Sequence, residues 1–284
     1  METVAIIIPH FGADEQQERA LDICLQSLQE TIFDTTEVLI ARNGNKCKNH
    51  GYAVDVNAQG QCKGVNAVAG ITDAKWLLIT NDDMVYAPNW LEKMLHTVKK
   101  YNLKYLCPNL VEPRPGAPPF LVQPFGGAGG DFQKDKWITF ANSHQELKLE
   151  QGFNLPFLIE HDIWNRVGGY DINYDPWGSN GDSDLQAKLI LGGLDTMRDR
   201  NIIVYHFSQT SGTFEPQNHG YWEKNYAYFK KKWGFDRQPD SNKVWYSRDI
   251  VDFANCQYKP EWVGRLNEQP RKFITYRGFN GRIN

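Results

Sequence analysis

Trp76-Leu77-Leu78-Ile79-Thr80-Asn81-Asp82-Asp83-Met84-Val85-Tyr86-Ala87-Pro88-Asn89-Trp90 is the stretch whose reading decides the fold. Trp76 to Ile79 are apolar without a helical period, which predicts a strand buried on both faces and ending at Thr80. Two adjacent carboxylates, Asp82 and Asp83, stand where that strand stops. In open α/β sheets ligands collect at the carboxyl ends of strands, and carboxylates placed there can hold a hard divalent cation through oxygen. A solvated turn is the commoner account of such a pair, so the decision passes to the rest of the chain. Pro88 predicts the first position of a helix whose apolar face is Leu91, Met94, Leu95 and Val98.

Working outward, Val4 to Ile8 reads as a second buried strand, closed by Pro9, His10, Phe11 and Gly12. Leu21, Cys24, Leu25 and Leu28 give a helical face, and Val38 to Ala41 a third strand ending in Arg42-Asn43-Gly44-Asn45. Strand, helix, strand with short connections predicts a βαβ unit with parallel strands. Gly60, Gly64 and Gly70 punctuate a short helix from about Cys62 to Ile71 and do not form a dinucleotide-binding G-x-G-x-x-G. On it, Lys63 and Asn66 are candidates to reach a phosphate or base, with a solvated face as the alternative. A short strand follows at Tyr105 to Pro108.

Four prolines between Pro113 and Pro119, then Gly-Gly-Ala-Gly-Gly at 126 to 130, exclude a helix through either run and predict a mobile loop or lid. Leu155 to Ile159 resumes as a strand, followed by a short helix to Arg166 and a turn, Gly168-Gly169-Tyr170-Asp171. After an aromatic and polar loop, Tyr174 to Gly181, Asp182 is placed as the N-cap of a helix carrying Leu185 and Leu189 and stopped by Gly192-Gly193. Ile202 to Tyr205 is a strand ended by His206. Trp222, Tyr226, Phe229 and Trp233 mark an aromatic helical face, and Arg265, Arg271, Lys272, Arg277 and Arg282 make the last stretch basic.

The 284 residues suffice for a substantial core, and a formal net charge of −3 predicts neither a polyanion binder nor an acidic tail. Five cysteines, Cys24, Cys47, Cys62, Cys107 and Cys256, scatter without a C-x-x-C pair, as expected of reduced thiols in a cytoplasmic protein. No basic-then-apolar leader is evident, and no apolar run approaches the roughly 18 to 20 residues of a membrane span. A soluble protein with at most peripheral membrane contact is expected. Aromatic residues make up 13% of the chain, with nine Trp, which suits core filling and also stacking on sugar faces.

In this order the pieces resemble a GT-A glycosyltransferase of the family-2 kind. The carrying residues are Ile6-Ile7-Ile8-Pro9, the strand and turn ending in Asn43-Gly44, Leu77 to Asp83 in the place of the family's D-x-D segment, Gly168 to Asp171, Asp182 to Leu185, and Val204-Tyr205-His206. The resemblance implies an α/β GT-A fold with a Rossmann-like, mostly parallel nucleotide-sugar-binding half at 1–112. A Pro/Gly-rich insertion at 113–151, an acceptor and catalytic half of the same domain at 152–215 and a C-terminal helix and basic tail at 216–284 would follow. It implies a divalent cation, Mn2+ or Mg2+, held by Asp83 and His206 against the diphosphate of a nucleotide sugar, with UDP the expected nucleotide. Pro9, His10, Phe11, Arg42, Asn43, Lys63, Asn66, Asn81 and Asp82 would line the donor site. Asp182 falls on the catalytic base of an inverting transfer, since a carboxylate must accept the acceptor hydroxyl's proton. Trp164, Trp177, Asp184 and Trp222 are the acceptor-site candidates. Asp184 lies about 200° around a helix from Asp182, so the two cannot share one cleft if that turn is helical.

Three departures bear on the site: Arg42 stands where the family usually reads the base with an acidic residue, Gly181 where it usually has Glu, and His10-Phe11 where it has Thr-Tyr. Arg42 and Gly181 keep open a carbohydrate-binding protein without turnover. The acceptor is expected to be a glycan or glycoconjugate, with a modified nucleic-acid base as an alternative that the net charge does not support. A phosphatase of the haloacid dehalogenase type needs an Asp nucleophile where Asn81 stands, and an amide cannot form an acyl phosphate.

Overall fold

The computed structural model describes residues 2–12, 14–43, 53–55, 60–115, 119–208, 216–235 and 253–268. Its elements in chain order are β1 (Val4–His10), α1 (Glu15–Gln29), β2 (Thr36–Arg42), β3 (Ala53–Asp55), α2 (Gln61–Ala69), β4 (Trp76–Ile79), β5 (Met84–Tyr86), α3 (Trp90–Tyr101) and β6 (Tyr105–Glu112). They continue with β7 (Leu121–Val122), α4 (Lys134–Ser143), β8 (Leu149–Gln151), β9 (Phe157–Glu160), α5 (His161–Val167), α6 (Gly181–Leu191), β10 (Met197–His206) and α7 (His219–Trp233). Gly44, Asn45, Cys47 and the basic residues Arg271, Lys272, Arg277 and Arg282 lie outside the described residues.

One sheet runs through both parts of the chain in the order β3-β2-β1-β4-β9-β6-β10-β5, with β7 beside β6 and β8 beside β10. β1 pairs in parallel with β2 and with β4, as the βαβ reading requires. β9 is antiparallel to both β4 and β6, and β6 is parallel to β10. Two reversals restore direction. The carboxyl ends of β1, β2, β4, β6 and β10 therefore open on one edge of the sheet.

Side chains alternate across a strand, and β1 shows what that does here. Ala5 and Ile7 enter a core beneath α2, α5, α6 and α7, while Val4, Ile6 and Ile8 enter another beneath α1 and α3. The result is a three-layer sandwich around a sheet buried on both faces.

Several elements differ from expectation. Pro88 does not open its helix: the chain first forms β5, then turns through Asn89 at φ 63, and α3 begins at Trp90. β5 escaped notice because three residues carry no measurable period. The segment after the prolines is not a loop throughout. α4 packs Trp137, fully buried, against Phe125 and Tyr205 in a third core cluster. Those aromatic contacts hold the glycine turn down on β10, where the Tyr205 hydroxyl donates to the Gly126 carbonyl.

Candidate functional site

Because β4, β6 and β10 share a direction, Asp82-Asp83, Glu112 and His206 gather where those strands end. β5 completes the arrangement by turning back antiparallel to β10, with Met84 opposite His206. Asp83 precedes Met84, so this register brings its carboxylate to the histidine: Oδ2 lies 3.3 Å from His206 Nε2. On the other side of the ring, Nδ1–H donates to Glu112 Oε1 at 2.8 Å. Burial works to lower the His206 pKa, but the carboxylates of Asp83 and Glu112 outweigh it and hold it up at about 10.

A carboxylate behind one ring nitrogen fixes the ring and raises the basicity of the other, the usual setting of a metal-binding histidine. The donor chemistry of Asp83 and His206, one carboxylate oxygen and one imidazole nitrogen facing each other, fits a divalent cation. Among the described residues no three His, Cys, Asp or Glu side chains cluster in a metal-holding group.

Asp82, beside this pair, sits 2.6 Å from His10 Nδ1, and His10 Nε2 faces Glu18 Oε1 at 3.3 Å. Burial pulls the His10 pKa down, but Asp82 and Glu18 more than compensate and leave it raised. Burial likewise pushes Asp82 up, against the pull of His10 and together with the repulsion of Asp83. His10 is only 1% exposed, so its ring stands behind Asp82 instead of facing a donor directly, which corrects the expectation placed on it.

At the start of α6 the N-cap is Asn180, at φ 67, and not Asp182. Asp182 lies in the first turn, half-buried, and its Oδ1 accepts from the Tyr170 hydroxyl at 2.7 Å. Asp184 is corrected as an acceptor contact. It is fully buried, and its Oδ1 accepts from Trp233 Nε1 at 2.8 Å and from Lys232 Nζ at 2.7 Å. Lys188 lies 3.4 Å from its other oxygen, and Lys232 also holds Asp171 at 2.7 Å. The two aspartates have separate surroundings: Asp182 meets the Tyr170 hydroxyl, and Asp184 enters a buried four-charge cluster that fastens α6, α7 and the Gly168–Asp171 turn together.

A model of the family described as glycosyl transferase family 2 matches residues 5–167, more than half of the chain. The chain belongs to glycosyl transferase family 2. No curated protein matches it. A solved structure described as the crystal structure of GalNAc-T7 with UDP, GalNAc and Mn2+ has a TM-score of 0.54 and 13% identity to it. That likeness covers 75% of this chain and 45% of the GalNAc-T7 chain, so the family-2 chain spans less than half the length of that structure. At such identity the likeness shows the fold, which is GT-A. The matched residues include Asp82 and Asp83, while Asp182 and His206 lie beyond them.

The remaining expected donor residues of this family-2 chain divide by environment. Pro9 and Arg42 are half-buried at the ends of β1 and β2, and Asn81 is half-buried after β4. Phe11 is 46% exposed, with its ring 5.8 Å from that of Trp177, so the two stand together at the rim between the first strands and the 174–180 loop. Asn43 is committed to structure, its Oδ1 accepting from Gly60 N–H at 2.8 Å. Asn66 is corrected for the same reason: Nδ2 donates to the Tyr170 carbonyl at 2.7 Å, and Oδ1 accepts from Tyr170 N–H at 2.9 Å. Lys63 projects into solvent, while its backbone N–H and that of Cys62 are capped by Asp175, so no open amide end of α2 awaits a phosphate.

Trp164 is corrected too. It is 3% exposed and packs edge-on against Tyr170 in the core. Trp222 is exposed on α7 and stacked on Tyr226 at 5.6 Å and 15°. Glu112, Glu18 and Tyr170 were not legible as site residues, because they enter through a strand register, a helix–strand contact and a turn contact that no local spacing encodes. No described helix is long and apolar enough to cross a membrane.

Proposed function

We propose that this chain is a metal-dependent, inverting glycosyltransferase that moves a hexose or pentose from a nucleoside-diphosphate sugar to a hydroxyl of a glycan or glycoconjugate. The observation that carries the reading is the Asp83–His206 pair, 3.3 Å apart, with Glu112 behind the imidazole. Family membership supports the reaction class, and a structure of the same fold that holds UDP and Mn2+ supports the donor class. A divalent cation held by Asp83 and His206 would supply positive charge to the departing diphosphate. The nitrogen ligand favours Mn2+ over Mg2+, which prefers an all-oxygen shell.

The chain's own groups then divide the work. Asp82, steadied by His10 and Glu18, is assigned to the donor's ribose side, with Arg42, Pro9 and Phe11 around the nucleotide. Asp182 accepts the proton of the acceptor hydroxyl as that oxygen bonds to the anomeric carbon. The bond from that carbon to the diphosphate oxygen breaks, and its electron pair leaves with the nucleoside diphosphate. Trp177 at the rim is assigned to stacking on the acceptor.

Thermal denaturation with UDP, GDP or dTDP, each with Mn2+ or Mg2+, tests this, because a ligand of the folded state alone raises Tm. One nucleotide should stabilise the protein in a Mn2+-dependent way, and His206→Ala should abolish the metal dependence. No shift with any nucleotide and metal would overturn the assignment.

A further inference from the structure

Tyr170 is tied at both its backbone and its ring. Its backbone is clamped at both ends by the Asn66 amide of α2, at 2.7 and 2.9 Å. Its ring stands edge-on against Trp164, centroids 5.3 Å apart. The preceding Gly169, at φ +59, admits that packing: a Cβ there would sit 2.4 Å from Asn66 Oδ1 and 2.9 Å from the Trp164 ring. What remains free to point is the hydroxyl, and it points at Asp182 Oδ1, 2.7 Å away. Tyr170 itself is 3% exposed.

From this geometry we infer that Tyr170 is the positioning residue for Asp182, holding its carboxylate in the orientation in which it takes up the acceptor hydroxyl's proton. The inference rests on Asp182 being the proton acceptor. A neutral donor suits that task. Lys188 and Lys232 bring positive charge to Asp184, whereas the Tyr170 phenol itself brings none to the carboxylate that must take up a proton. Burial pushes the Tyr170 hydroxyl well above its ordinary range, with the Asp182 charge acting the same way, so the phenol stays a donor throughout. The relay Asn66–Tyr170–Asp182 also links α2 of the nucleotide half to α6 of the catalytic half. An ordinary core tyrosine would need a partner for its hydroxyl, but would not need its backbone clamped from another element to aim it.

The test uses the release of nucleoside diphosphate from whichever UDP-, GDP- or dTDP-hexose the wild type turns over fastest with Mn2+, water serving as acceptor. Tyr170→Phe keeps the ring against Trp164 and removes only the hydroxyl. It should lower kcat about 10- to 50-fold with the donor KM within about twofold, the signature of a lost orienting contact. Asn66→Ala should show the same split more mildly.

The deciding measurement is the double-mutant cycle: in an Asp182→Asn background, Tyr170→Phe should have no further effect. Equal losses in both backgrounds, or an unchanged kcat in Tyr170→Phe, overturn the positioning role alone. Undiminished turnover in Asp182→Asn, or none in the wild type, overturns the parent reading and this inference with it. Circular dichroism melting of each variant separates misfolding from either result. If Tyr170→Phe unfolds, the Asn66→Ala cycle with Asp182→Asn carries the same decision.

Discussion

Asp171→Asn should cost the protein about 2.5 kcal/mol at neutral pH, and the cost should fade in acid. Asp171 follows Tyr170 in the turn and is 12% exposed, with Lys232 Nζ 2.7 Å from Oδ2 and the Tyr228 hydroxyl 2.9 Å from the same oxygen. Burial works to raise its pKa, but Lys232 outweighs it and holds the carboxyl at about 2, against an ordinary 3.8. At about 1.4 kcal/mol per pH unit that gap is worth about 2.5 kcal/mol. The folded-state pKa is depressed, so the contribution is complete well above 3.8 and is lost as pH falls through about 2. Urea denaturation followed by tryptophan fluorescence should therefore separate wild type from variant by about 2.5 kcal/mol at pH 7 and by about half as much at pH 3. Lys232 keeps Asp184 in the variant, so no bare cation is left to add to the loss. A gap of the same size at both pH values, or one below about 0.5 kcal/mol at pH 7, would refute the argument that this ion pair fastens α7 to the turn.

Two further outcomes follow from the same geometry. Glu112→Gln should weaken Mn2+ binding about 10- to 100-fold, read by calorimetric titration of Mn2+ in the presence of the nucleotide that stabilises the wild type, because the imidazole loses the carboxylate behind it. An unchanged Mn2+ midpoint would argue against a ligand role for His206. Trp137→Ala should cost about 3 to 5 kcal/mol in chemical denaturation, as expected of a fully buried tryptophan packed by Phe125 and Tyr205; a loss below about 1 kcal/mol would return the segment around α4 to the status of a loop.

Much of the chain up to β6 was legible because its strands are continuous apolar runs and its helices keep a clean period. The predicted strand at Trp76 to Ile79 matches β4, and α2 lies within two residues of expectation. β5, three residues long, fell below what a pattern can register, and with it went the position of Pro88. The Pro/Gly-rich segment misled for a different reason. Proline and glycine forbid a helix where they stand and say nothing of Lys134 to Ser143 beyond them.

The candidate site divides in the same way. Residue types near strand ends marked Asp82, Asp83 and His206, but Asn66, Asp184 and Trp164 have the same chemistry as ligand-contacting residues and spend it on the fold instead.

By itself the sequence determined that a two-faced strand ends in a pair of carboxylates, because the burial of four consecutive apolar residues and the break after them are local matters. Only the tertiary structure decided their partners. His10 reaches Asp82 across 72 residues through the parallel pairing of β1 with β4, His206 reaches Glu112 across 94 through that of β6 with β10, and the register of β5 on β10 sets Asp83 against His206. Strand direction and register are set by pairing between distant segments, and no local spacing carries that information.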